Sequence, residues 1–228
     1  MAAILSTAEA RSILGDDVLG LEEVAATFGA SATSGALPPI PFSEQELRAA
    51  RANGEILILR AERDSLESPL TIQNMIVRYG EAFDARFLRK MGYQLKDEWG
   101  IELEPVAAVD TCSAGWALVR REPIESSRNL SYDEQEPRIG AYAQHIGLSA
   151  AALRRRTAVE VVYDTLLYFA SRKVRLLAKA WDWSSTRTID GGYLNVGGFG
   201  PSGMQVLSYS RAVRHGALGI CPTRQPSK

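Results

Sequence analysis

The feature that most constrains this chain is a change of hydrophobic period near residue 182. From Thr157 to Trp181 the apolar residues Val159, Val162, Tyr163, Leu166, Phe169, Ala170, Val174, Leu177 and Trp181 recur at intervals of three and four. That spacing predicts one amphipathic helix over 157–181, with Glu160, Asp164, Arg172, Arg175 and Lys179 on its solvent face. Beyond it the period falls to two. The short runs WSSTRTI, YLNVGGF, MQVLSY and ALGICP are separated by Asp190-Gly191-Gly192, by residues 200–203 and by Arg214-His215-Gly216. Runs of that length between such turns predict an antiparallel β-meander. A long helix followed by a meander places the chain in the α+β class, with a mixed or antiparallel sheet packed against the helix near 157–181.

Upstream, local signals divide the chain. Ser6 with Glu9 forms a capping box, and Asp16 or Asp17 can cap a second helix running to Phe28 and Gly29. The segment around Pro38, Pro39 and Pro41 reads as an extended strap. The expected division is an N-terminal helical arm over 1–30, a Pro-rich linker over 31–42 and a main α+β domain over 43–228. Within the main domain, Ser43 and Glu46 open a helix to about Ala52, and Asn53-Gly54 turns the chain into a buried strand around Ile56–Leu59. Thr71 caps a helix over residues 72–80, and another follows over 81–92. Two strands are expected at 101–109 and 115–121, joined by the segment at 110–114. A polar loop over 122–137 leads to a helix from about Ile139.

A chain of 228 residues buries enough surface to fold without staples. Its two cysteines, Cys112 and Cys221, have neither disulfide nor zinc-site spacing, which fits a reducing, cytoplasmic setting. The N-terminus lacks the charged and apolar regions of a secretory signal, and charges interrupt the most apolar stretch, so a soluble protein without a membrane span is expected.

The net charge of −1 conceals an uneven distribution. Residues 1–137 carry 23 Asp/Glu and 13 Lys/Arg, whereas residues 138–228 carry 4 and 13. The basic third offers Arg154, Arg155, Arg156, Arg172, Lys173, Arg175 and Lys179 as candidates for a nucleic-acid or polyanion surface. The competing expectation is that acidic and basic parts pack together and neutralise one another.

Chemistry-bearing motifs are sparse. Asp110-Thr111 after an apolar run resembles the active-site turn of aspartic proteases over about six residues. Cys112 stands where that family has glycine, and no second copy supplies the partner carboxylate. The segment therefore reads as a turn. Cys112 could serve as a nucleophile only beside His145 or His215. Two distant histidines make no metal site, and the glycine-rich stretch 190–203 lacks the Lys-Ser/Thr of a phosphate loop. Asp110, Cys112, His145 and Trp183 remain as pocket candidates, and no cofactor or metal is expected. With no complete catalytic motif, the leading expectation is a non-catalytic interaction or structural protein with a protein partner or self-association. A nucleic-acid-associated protein is the alternative, and a hydrolase or transferase the second.

Overall fold

The computed structural model describes residues 5–29, 38–78, 104–201 and 203–224. The helix expected over 81–92 lies outside them. The described residues contain seven α-helices and two mixed sheets, and the protein belongs to the α+β class.

Helix starts follow the capping signals. Ser6 caps α1 (Thr7–Leu14), accepting from the Glu9 N–H at 3.2 Å while the Glu9 carboxylate accepts from the Ser6 N–H. Ser43 and Glu46 do the same for α3 (Glu44–Ala52). Between them, Asp16 and Asp17 do not cap a helix. They sit in a 3-10 turn, Val18–Leu19 forms strand β1, and α2 (Leu21–Phe28) begins after Gly20. Both β1 residues are fully buried, and pairing with a neighbouring strand overrides the local helical preference.

Strand β2 (Glu55–Arg60) pairs parallel with β1 and antiparallel with β3 (Gly115–Arg120). Thr71 caps α4 (Ile72–Arg78), its hydroxyl accepting from the Asn74 N–H at 3.1 Å. The strand expected at 101–109 is instead, in its described part, a short helix, α5 (Pro105–Val109), with proline in its first turn. Helix α6 (Tyr132–His145) begins seven residues before the expected Ile139. Ser131 and Glu134 form a capping box, and Pro137 lies inside the helix, in its second turn. Strands β4 (Leu153–Arg154) and β9 (Thr223–Arg224) complete a five-stranded sheet of order β1-β2-β3-β9-β4.

The long helix, α7, spans Ala158–Arg172 and not 157–181. Lys173 adopts the left-handed conformation and ends it, and Trp181 opens a strand. Every residue from Ala158 to Tyr168 is buried, because α7 lies between the two sheets and contacts β1, β2, β5 and β6. Glu160 and Asp164 share a face, as their spacing requires, but that face is buried and not solvated.

The meander forms a second sheet: β5 (Trp181–Arg187), β6 (Tyr193–Gly200) and β7 (Gly203–Tyr209) run antiparallel. The fourth strand, β8 (Leu218–Gly219), returns to pair parallel with β5, giving the order β7-β6-β5-β8. The strands expected to share one sheet thus divide between two. Gly191, at φ 86°, takes the left-handed turn between β5 and β6. A Cβ at Gly197 would lie 2.1 Å from the Ala180 carbonyl oxygen, so only glycine permits that approach of β6 to the start of β5.

The N-terminal helices pack against this body. Arg172 donates to the backbone oxygens of Asp16 and Val18 and to Glu23, and Arg121 pairs with Asp17. Among the described residues, no helix is long and apolar enough to cross a membrane.

Candidate anion-binding site

The arginines of residues 154–156 sit where α7 meets both sheets. Glu160 stands at the third position of α7, where it closes a capping box with Thr157. Asp164 lies one turn further, on the same face. Arg60, the last residue of β2, reaches that face and donates to both Asp164 oxygens at 2.9 and 2.6 Å and to Glu160 at 2.5 Å. Arg154 grips Glu160 with two bonds, at 2.8 and 2.6 Å. Arg156 bridges Asp164 and Asp182, and the second Asp182 oxygen accepts from the Cys221 N–H at 2.8 Å. The result is an alternating chain, Arg154–Glu160–Arg60–Asp164–Arg156–Asp182, with equal numbers of positive and negative groups. Such saturation is what ionised groups removed from water require.

The carboxylates respond differently to this setting. Burial raises Glu160, but the hydrogen bond from Arg154 and the charges of Arg60 and Arg154 outweigh it and bring it to about 2. Burial raises Asp182, and the opposing pull of Arg156 does not reverse the shift.

A second buried pair lies on the other face of the five-stranded sheet. Arg224 donates from Nη2 to Glu55 at 2.7 Å, and the two side chains are 2% and 3% exposed. The Nε and Nη1 groups of Arg224 make no hydrogen bond. Burial pushes the Glu55 carboxyl up, against the charges of Arg224 and Arg120. Arg120 itself donates to the Asn53 carbonyl and the Tyr142 hydroxyl.

A cavity of about 430 Å³ connects the two faces. Registers place Trp116 and Arg224 on one face, with Leu57 and Leu118, and place Arg60, Thr223 and Arg154 on the other. Trp116, Arg224, Arg60, Thr223 and Arg154 line this cavity, together with Glu160. It therefore passes the open end of the sheet, where β9 pairs for only two residues between β3 and β4. Pro38, Pro39 and Pro41 of the strap form another wall, fixed by the Trp116 indole N–H donating to the Pro38 carbonyl at 2.9 Å.

The residues singled out from sequence fall in several places. Arg154 and Arg156 join the ion-pair chain. Arg155 is buried, donating to the Tyr132 and Trp183 carbonyls, Gln135 and Glu136, with its guanidinium 4.0 Å from the Tyr132 ring centre. Arg172 holds the N-terminal helices, and Lys173 donates to the Ala170 carbonyl. Arg175 lies over Phe169 and Phe199, and Lys179 is exposed beside it along a separate cleft. Trp183 is fully buried, edge-on to Tyr132. Asp110 is partly exposed at the end of α5. Cys112 is buried, and its thiol is pushed well up by burial despite the charge of Arg60. His145 is exposed at the end of α6.

Arg60, Trp116, Glu160 and Arg224 were not among the sequence candidates for this site. One signal for them existed: an arginine ending an apolar strand, and two carboxylates four apart on an otherwise apolar helix. Among the described residues no cluster of His, Cys, Asp and Glu could hold a metal ion. No protein-family model, curated protein or solved structure matches the chain.

Proposed function

We propose that this protein works by binding, and that a small organic anion is held in the cavity at the open end of the five-stranded sheet. One observation carries the reading. Arg224 is one of the residues that line the cavity, and two donor groups of its buried guanidinium have no partner. Buried polar groups are nearly always paired, and an unpaired donor on a charged group is costly. A ligand oxygen would remove that cost. The volume lies within the usual range for small-molecule sites.

The other chemistry-bearing groups support binding over turnover. The buried Cys112 thiol is held protonated, and His145 is exposed at a helix end.

The test is thermal denaturation of the chain with a panel of small carboxylates, sulfonates and phosphates. Ligands that bind only the folded state raise its melting temperature in proportion to the logarithm of their concentration. At least one anion is expected to do so, and Ser113→Trp, at the exposed rim of the cavity, is expected to abolish the response. An unchanged response in Ser113→Trp, or no response to any anion, would overturn the reading.

A further inference from the structure

We propose that the cleft between residues 121–128 and the segment that follows α7 is a second ligand site, and that it takes a small organic phosphate carrying two or more negative charges.

The cleft, of about 360 Å³, shares no lining residue with the cavity at the end of the sheet. Four of the residues that line it are cationic, Arg121, Arg128, Arg175 and Lys179, and one, Glu122, is anionic. Arg121 pairs with Asp17. Arg128 meets Glu125 at 3.1 Å, but the glutamate side chain is 89% exposed, and exposed pairs hold weakly. Among the described residues, neither Arg175 nor Lys179 pairs with a carboxylate. These two are the part of the basic third that the acidic part leaves uncompensated in this cleft.

The cationic wall is anchored. Between Arg175 and Lys179, Leu176 and Leu177 are buried, and the Leu177 carbonyl accepts from the Phe199 N–H at 3.2 Å. The Arg175 guanidinium lies over the rings of Phe169 and Phe199, 5.0 and 5.7 Å from their centres. A wall ordered before the ligand arrives lowers the entropic cost of binding.

Charge selects the ligand class. A cleft lined mainly by one sign of charge attracts anions through space, over about 8 Å at physiological salt, so the attraction does not depend on which nitrogen faces the ligand. It grows with the ligand's charge and favours a phosphate dianion over a carboxylate. Guanidinium groups also match the oxygens of phosphate. Val174, 52% exposed, and Ala178 on the same wall offer apolar contact to an organic body. The volume is that of a small-molecule site.

The experiment is isothermal titration of the full chain with phenyl phosphate, inorganic pyrophosphate and benzoate, at low and at physiological salt. Both phosphates are expected to bind saturably and to weaken as salt rises, with benzoate about tenfold weaker than phenyl phosphate. Lys179→Glu is expected to weaken phenyl phosphate about tenfold, and Glu122→Gln to tighten it about threefold. Both positions are exposed, so folding is not at stake, and a purely structural role would not move affinity in opposite directions. Ser113→Trp, at the rim of the other cavity, is expected to leave phenyl phosphate binding unchanged. Absence of saturable phosphate binding, benzoate equal to phenyl phosphate, or an affinity indifferent to the two charge variants overturns the proposal. Loss of phosphate binding in Ser113→Trp also overturns it, and places the phosphate in the cavity at the end of the sheet instead. A single-stranded oligonucleotide that displaces phenyl phosphate, with the salt dependence of several phosphate contacts, overturns the small-molecule assignment in favour of a nucleic-acid surface.

Discussion

Two buried clusters of arginine and carboxylate flank the same cavity and are built on opposite principles. On one face of the sheet, Arg154, Glu160, Arg60, Asp164, Arg156 and Asp182 alternate, and each charge meets its opposite. On the other, Arg224 makes one hydrogen bond to Glu55 and leaves two donor groups unpaired. The first arrangement joins β2, α7 and β5. The second lies beside the short strand β9, which pairs for only two residues between β3 and β4. Burial alone therefore does not distinguish the two clusters; the number of unpaired donors does.

The sharpest way to break this comparison is Asp164→Asn. It removes the carboxylate shared by Arg60 and Arg156 and leaves both arginines short of a buried partner. The expected loss, measured by urea denaturation, is about 3–5 kcal/mol. A loss below about 1 kcal/mol would mean that the chain is not the structural element described.

Acid titration probes the same contrast. Glu160 is held at about 2 in the folded protein against 4.5 as its ordinary value. A lowered carboxyl contributes stability that is present above pH 4.5 and lost as pH falls toward 2, here about 3 kcal/mol. Glu55 is raised, so its effect has the opposite sign: it disfavours the folded state as pH rises above 4.5 and ceases to do so when it is protonated. Stability measured from pH 6 down to pH 2 should fall less steeply in Glu160→Gln than in the wild type, and more steeply in Glu55→Gln.

The third comparison makes one substitution at two sites. Arg60→Lys removes the fork that serves Asp164 and Glu160 and should cost about 2–3 kcal/mol. Arg224→Lys retains the single bond to Glu55 and should cost less than about 1 kcal/mol without ligand. Equal losses in urea denaturation would show that the two arginines are used alike.

The split between an acidic two-thirds and a basic third resolves through contacts that cross it. Arg155 pairs with Glu136, Arg172 with Glu23, Arg214 with Glu134 and Arg224 with Glu55, each basic residue coming from the last third and each acid from the first two. The complementary reading of the charge blocks describes these pairs. The sequence did not disclose which pairs would be buried. Glu160 and Asp164 looked solvated because helical periodicity reports which residues share a face, not what the face meets. The stripe also continued past the helix end, since Val174, Leu177 and Trp181 keep the spacing after Lys173 has turned left-handed.

The sequence by itself determined the α+β class, the starts of α1, α3, α4 and α7, strand β2 and the three antiparallel strands of the meander. These depend on interactions spanning about four residues, or on an alternation that repeats locally. Only the tertiary structure decided that α7 is buried between two sheets, that Val18–Leu19 is a strand and that Arg224 meets Glu55 in the wall of a cavity. Arg60 is separated from Asp164 by 104 residues and Glu55 from Arg224 by 169. No local period encodes contacts of that range; they arise when strand order and register bring the partners onto one face of a sheet.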